Sequence, residues 1–227
     1  NGIDKDFYNP AKDKALFIKY DKKTIELKKQ NKTNLQEMLN LPVDENIPMI
    51  AMITRLVSHK GITIVRDAFE RIMGEPVQMV ILGTGDVAYE GFFKDMENRH
   101  SNKLRAIIAF NQDLSRKIYA ASDIFLMPSI AEPCGLSQMI ASRYGSVPLV
   151  RRTGGLADSI VDFTVKGNGY TFDNVDANEM YTVLKRAISD FYDQKTWPEK
   201  VKKVMSVDFG WTKSAKEYIK MYDELLG

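Results

Sequence analysis

The sequence predicts a doubly wound α/β fold on a parallel sheet, and three observations carry that expectation. Five short runs are apolar at nearly every position: "PMIAMITR", "VQMVILGTG", "RAIIAF", "DIFLMPS" and "VPLVRRT". Each is followed by a segment with helical spacing, namely "GITIVRDAFERIM", "YEGFFKDMENRH", "QDLSRKIYAAS", "GLSQMIASRYG" and "GGLADSIVD". The junctions between them hold glycine, proline and charge: "TRLVSHKG", "LGTGD", "AFNQD", "PSIAEPCG" and "VRRTGG". A strand without a polar face must be covered on both sides, which a parallel sheet between two helical layers achieves. Strict alternation of strand and helix gives right-handed crossovers.

Taken in order, residues 1–47 read as a connector and lead-in. An extended "NGID…YNP" precedes a helix around "KTNLQEMLNL" that ends near Pro42. Residues 48–227 read as the α/β domain with C-terminal helices. After Gly169 come a short strand, "GYTFD", a helix, "ANEMYTVLKRAISDFYD", and two further helical stretches. In the last, "TKSAKEYIKMYDELL", Ala215, Tyr218, Ile219, Tyr222 and Leu225 form one apolar stripe, the usual mark of core packing.

Composition excludes several classes. The 227 residues are 44% hydrophobic and 27% charged, with 32 basic against 30 acidic side chains. A formal charge of +2 with interspersed signs points to no nucleic-acid or membrane partner. No apolar run approaches the roughly 18–20 residues that cross a bilayer. The polar start, "NGIDKDFYNPAKDK", has no signal-peptide pattern. It also lacks an initiating methionine, so the chain is expected to be processed or part of something longer. One cysteine makes no internal disulfide, and a reducing cytoplasmic setting is the expectation.

In a doubly wound sheet, ligands bind beyond the carboxyl ends of the strands. Arg55 and Lys60 flank the first such turn; a guanidinium fork and an ammonium together suit a diphosphate, though two solvated loop cations would look the same. A loop cation lies outside the core, so losing Lys60 should cost little stability. His59 reads as a surface residue. "GTGDVA", Gly83 to Ala88, matches a dinucleotide fingerprint formally. The acid expected about 20 residues on is absent, since residues 103–108 are Lys, Leu, Arg, Ala, Ile, Ile. Gly83 and Gly85 therefore read as a tight turn that lets backbone approach a ligand or a neighbour. Phe110 ends the third run and could stack on a nucleobase or belong to the core. In "AEPCGLSQ", Glu132 could complement a helix dipole or bond sugar hydroxyls. Pro133 fixes the turn, and the N–H groups of Gly135, Leu136 and Ser137 would be first-turn donors. Cys134 reads as a small packed residue rather than a nucleophile, since neither His59 nor His100 is evidently placed to activate it. Thr153, Gly154 and Gly155 open another helix, where small residues permit close approach to phosphate or sugar.

The segments "NGID", "NKTNLQ", "ITRLVSHKG", "ILGTGD", "ASDIFLMPSIAEPCGLSQ" and "PLVRRTGGLADSIVD" resemble the C-terminal half of bacterial glycogen synthases and plant starch synthases. The resemblance spans essentially the whole chain, and "EPCGLSQ" with "RRTGGLADS" is its specific part. It implies a GT-B fold whose C-terminal, Rossmann-like domain binds ADP-glucose, and a retaining transfer of glucose to the non-reducing end of an α-1,4-glucan. It places Arg55 and Lys60 on the diphosphate, Glu132 on the donor glucose, and Cys134, Gly135, Leu136 and Thr153 along sugar and phosphate. Phe110 falls where many members have a tyrosine against adenine. No cofactor or metal is implied. The acceptor glucan would be held by an N-terminal domain, without which the chain is expected to be inactive, and the last helix reaches back to that domain in the family. Departures are His59 for the usual glutamine, Tyr8 for a tryptophan, and Ile140 where related enzymes carry a second glutamate. The competing readings are an NAD-type oxidoreductase domain, resting on "GTGDVA", and a non-catalytic nucleotide-binding domain. ADP against UDP preference stays open.

Overall fold

The computed structural model describes residues 1–226. Six strands make one parallel sheet: β1 (Met49–Ile53), β2 (Gln78–Leu82), β3 (Leu104–Ile107), β4 (Ile124–Met127), β5 (Val147–Arg151) and β6 (Tyr170–Phe172). The first five are the apolar runs, and "GYTFD" supplies the sixth, with Tyr170 opposite Leu149. Every residue of β2 and of β4 is buried, as strands without a polar face require. Helices α1 (Lys28–Met38), α2 (Ile62–Gly74), α3 (Val87–Arg99), α4 (Gln112–Ala121), α5 (Ser137–Arg143), α6 (Gly154–Ser159), α7 (Ala177–Tyr192), α8 (Trp197–Met205) and α9 (Trp211–Leu226) complete the architecture.

The strand order is β3-β2-β1-β4-β5-β6. From β1 the chain winds outward to β3, then returns to the other side of β1 as β4. The carboxyl ends of β1 and β4 therefore diverge into a crevice at the point where winding reverses.

Residues 1–47 share the core of the domain they precede. Ile3, Leu16, Tyr20, Leu35 and Leu41 are buried within it. The Tyr20 hydroxyl donates to the Tyr144 carbonyl at 2.6 Å, and the Tyr144 hydroxyl donates to Asp13 at 2.6 Å. From α1, Lys28 donates to the carbonyls of Ala120 and Ser122 at 2.6 and 2.7 Å, closing the end of α4. Burial lowers the pKa of that ammonium to about 7, against the pull of Asp123.

Two expectations fail here. The third run was expected to carry its strand to Phe110, but β3 stops at Ile107, where the Ala109 N–H turns back to the Ile107 carbonyl. Phe110 lies beyond, 92% exposed, which overturns its core reading. The stripe on α9 is not core packing either. Tyr218, Ile219, Tyr222 and Leu225 are 55–75% exposed, because α9 leaves the body of the domain after its first turn. There Ser214 Oγ donates to the Asn1 carbonyl at 3.2 Å.

The outer edge of β6 is closed by Asp162, which accepts the N–H of Thr171 at 2.8 Å and of Thr164 at 2.9 Å. Arg186 grips both its oxygens, at 2.6 and 3.1 Å. Burial alone would raise this carboxyl, but the guanidinium and the amides outweigh it and bring its pKa down to about 2. A depressed acid stabilises the fold fully above its unfolded value near 4 and loses that contribution as pH falls through 2. Acid titration of the urea midpoint should thus show a decline between pH 4 and 2 that is shallower in Asp162→Asn. Superimposable profiles for the two proteins would refute the assignment.

Candidate functional site

The turns after β1 and β2 run side by side. Leu56 N–H donates to the Thr84 carbonyl at 2.9 Å, and Asp86 N–H donates to the Leu56 carbonyl at 2.8 Å. Only glycine fits opposite: a Cβ on Gly83 would sit 1.8 Å from the Thr54 carbonyl oxygen, and one on Gly85 2.1 Å from that of Leu56. Their N–H groups are also engaged, Gly83 with the Ile107 carbonyl and Gly85 with Glu90 Oε1. Of the two partners the sequence allowed these glycines, the arrangement favours the neighbouring turn. "GTGD" moreover follows β2, not the first strand.

The turn after β1 ends in a single 3-10 turn, Ser58–Lys60. It meets the turn after β4 across the crevice. The His59 carbonyl accepts Ile130 N–H at 2.8 Å and Ala131 N–H at 3.3 Å. Lys60 Nζ then reaches Glu132 Oε2 at 2.5 Å, with the two side chains only 15% and 9% exposed. Ser129 Oγ donates to the same oxygen at 3.1 Å. Oε1 has no hydrogen-bond partner among the described residues and is available to a ligand. Arg55, in contrast, is exposed and pairs with no acid among the described residues; its Nη2 lies 3.3 Å from His59 Nε2. His59 is exposed, as a surface residue, and borders the site.

The third turn, after β5, closes on the second. Gly155 N–H donates to the Glu132 carbonyl at 3.1 Å, and Gly154 has φ +45° with no room for a Cβ. Thr153 Oγ1 lies 3.5 Å from the Ile130 carbonyl oxygen. Neither α5 nor α6 receives a side-chain cap at its amino end; in α6 the N–H groups of Gly155 and Leu156 are nonetheless taken by the Glu132 and Thr153 carbonyls, while the first-turn amides of α5 have no acceptor among the described residues. Gly135 and Leu136 lead into α5, Leu136 half exposed at 49%. Cys134 is half-buried, and its thiol donates to the Gly135 carbonyl at 3.3 Å. Neither imidazole contacts it: His59 faces Arg55, and His100 lies 3.0 Å from Glu70. Among the described residues, no group of three His, Cys, Asp or Glu side chains is placed to hold a metal ion.

Segments 54–61, 132–137 and 153–155 therefore converge, as the sequence led us to expect. Two contributors were not anticipated. Arg151, at the end of β5, donates to the carbonyls of Ser129, Ile130 and Asp173 and braces the Glu132 turn from below. Gln138 is fully buried behind Gly135. The only sequence signal for either was a polar side chain inside an apolar element. Beside the turns lies a hollow of about 530 Å³, lined by Pro133, Cys134, Gly155, Asp158, Phe209 and Tyr218. No helix among the described residues is long and apolar enough to cross a membrane.

The family model described as glycosyl transferases group 1 matches residues 27–204. Glycogen synthase of Clostridium novyi (strain NT) is 47% identical over 229 residues, covering 100% of this chain and 48% of that protein. Glycogen synthase of Anoxybacillus flavithermus (strain DSM 21510 / WK1) is 47% identical over 230 residues, again covering 100% of this chain and 47% of that protein. The chain spans about half the length of the curated relatives it matches. Among solved structures, the catalytic domain of starch synthase IV from Arabidopsis thaliana, bound to ADP and acarbose, superposes with a TM-score of 0.92 at 40% identity. It covers 99% of this chain and 48% of that one.

Proposed function

Since the chain belongs to the group 1 glycosyl transferases, we propose that it is the donor-binding half of a glycogen or starch synthase, taking ADP-glucose. The observation that carries this reading is the Lys60–Glu132 contact across the β1/β4 crevice, which sets a cation for phosphate beside a carboxylate for sugar. The bound ADP of the Arabidopsis starch synthase supports the nucleotide. The acarbose there supports a glucan acceptor, which we assign to residues outside these 227. Turnover by these residues alone is not expected. The single cysteine suits a cytoplasmic enzyme.

The uphill event in such a transfer is departure of ADP from C1 of the glucose. Negative charge grows on the β-phosphate as the sugar becomes oxocarbenium-like. An ammonium has three donors, so Lys60 can keep Glu132 and still bond the phosphate. Arg55, which is exposed and has no carboxylate partner among the described residues, supplies a second cation. The N–H groups of Gly135, Leu136 and Ser137 add oriented dipoles, and Thr153 and Gly154 close the other wall. Preorganised donors of this kind are each worth about 3 kcal/mol in the transition state. Glu132 Oε1, the free oxygen, would accept from glucose hydroxyls and fix the sugar for transfer with retention, while Cys134 lines it. Phe110, exposed beyond β3, offers its ring to adenine.

Calorimetry tests the reading. ADP should bind this chain and raise its melting temperature, whereas NAD should give neither heat nor shift. Ligand at about 100 times its Kd stabilises by about 2.7 kcal/mol. Phe110→Ala should lower ADP affinity by roughly 5- to 100-fold, since stacking on an aromatic ring is worth about 1–3 kcal/mol per base. Melting without ligand should not change, because the ring is exposed. Heat from NAD but not from ADP would move the assignment to the oxidoreductase reading.

A further inference from the structure

On the reading that a diphosphate sits at these turns, we propose that Gln138 is a positioning residue. Its buried carboxamide aims the N–H groups of Gly135 and Leu136 at the anion. Gln138 is 0% exposed, near the start of α5, where a glutamine would ordinarily face water. Its Nε2 lies 3.1 Å from the Cys134 carbonyl oxygen, 3.0 Å from the Gly135 carbonyl oxygen and 3.1 Å from Ser159 Oγ, and its two N–H groups are shared among these acceptors. Ser159 Oγ in turn donates to the Gly155 carbonyl at 2.7 Å. One amide group therefore holds the turn after β4 to the helix that follows β5.

Its other end is unsatisfied. Gln138 Oε1 is buried and has no hydrogen-bond partner among the described residues. A buried orphan acceptor is destabilising, and an apolar side chain of the same shape would avoid it. The acceptor end gives the glutamine no advantage over such a side chain; what it contributes lies at the donor end.

The stereochemistry says what that donor end achieves. No peptide bond in the described chain is cis, so each C=O and the N–H on the same peptide point opposite ways. Pinning the Cys134 carbonyl inward turns the Gly135 N–H outward. Pinning the Gly135 carbonyl inward does the same for the Leu136 N–H. Gly135 has φ +73°, and Leu136 follows in the right-handed region at φ −113°, ψ −29°. Adjacent residues of opposite hand bring successive N–H groups to one side, a concavity that binds anions. Gln138 locks that concavity before the ligand arrives.

The experiment is calorimetry on this chain with ADP, inorganic pyrophosphate and adenosine, together with its thermal melting. Gln138→Met keeps the shape and removes the donors. It should weaken ADP and pyrophosphate by the same factor, on the order of 10- to 100-fold. Adenosine affinity should be unchanged, and the melting temperature should fall only modestly, because removing the orphan oxygen offsets part of what the two carbonyls lose. A merely structural glutamine would lower the melting temperature and leave pyrophosphate affinity at the parent value. If Gln138→Met does not fold, Gln138→Leu, which is uncharged and has no donor, is read the same way. Ser159→Ala leaves both carbonyl bonds in place and should keep ADP affinity within about 2-fold. Wild-type affinity for pyrophosphate in a folded Gln138 variant overturns the proposal while leaving the diphosphate site intact. A parent chain that binds neither ADP nor pyrophosphate overturns both.

Discussion

Lys60→Ala is expected to lower ADP affinity by roughly 10- to 100-fold and, in the same protein, to destabilise the fold by about 3 kcal/mol. The first effect follows from losing a charge-assisted bond to phosphate, worth about 1.5–3 kcal/mol. The second is not what the sequence suggests. A lysine in a polar turn reads as a loop cation whose loss costs little. The structure corrects this, because its partner Glu132 is only 9% exposed and the pair lies inside the crevice wall. Removing one member of a buried pair leaves the other charge uncompensated, a penalty of about 3–5 kcal/mol. Ser129 Oγ still donates to that carboxylate, which favours the lower figure. The two effects separate in the double variant Lys60→Met/Glu132→Gln. With no charge left to bury, its stability should return most of the way, while ADP affinity should stay low. Glu132→Gln alone should keep ADP binding and weaken ADP-glucose relative to ADP, because only the sugar needs the carboxylate. Urea denaturation and calorimetry on the four proteins give both quantities. A Lys60→Ala protein that holds ADP as tightly as the parent would end the phosphate role. Equal losses of ADP and ADP-glucose in Glu132→Gln would end the sugar role.

The same pair marks how far the sequence is legible. Apolar runs such as "QMVIL" have no polar face, so their burial in a parallel sheet follows from composition alone. That the turns share one edge follows too, because parallel strands all end on the same side. What sequence pattern does not carry is which turns touch. Lys60 and Glu132 are 72 residues apart and become neighbours only because β4 returns to the far side of β1. Arg151 was visible at the end of an apolar run, but nothing in "VPLVRRT" says that its guanidinium braces the carbonyls of Ser129 and Ile130. Helical periodicity likewise shows that the side chains of Tyr218, Ile219 and Tyr222 share a face. It says nothing about what covers that face, and here they remain more than half exposed.

Gly154→Ala should be a strongly damaging small substitution at the site, lowering stability by roughly 3–6 kcal/mol and abolishing measurable ADP binding. Three contributions combine. The backbone has φ +45°, where a side chain costs about 1–2 kcal/mol. A Cβ would lie 2.2 Å from the Glu132 carbonyl oxygen, which is backbone and cannot rotate aside, so overpacking costs about 1–3 kcal/mol more. To relieve the clash the third turn must move off the second, which breaks the bond from Gly155 N–H to the same carbonyl. That bond contributes about 1 kcal/mol. At this chain length the total corresponds to a fall in melting temperature of roughly 6–24 °C. Binding suffers for a separate reason. The displaced turn carries Thr153 and the opening of α6 away from the Glu132 segment, so the two walls of the diphosphate site no longer face each other. Gly91→Ala is the control. It lies inside α3, where nothing comes within 4 Å of a new Cβ. Alanine there should stabilise by about 0.5–1 kcal/mol and leave ADP affinity alone. Opposite signs for the two substitutions, read by thermal melting and calorimetry, are the expected result. A Gly154→Ala protein that melts with the parent would mean that the second and third turns do not press together, and the site as described would not exist.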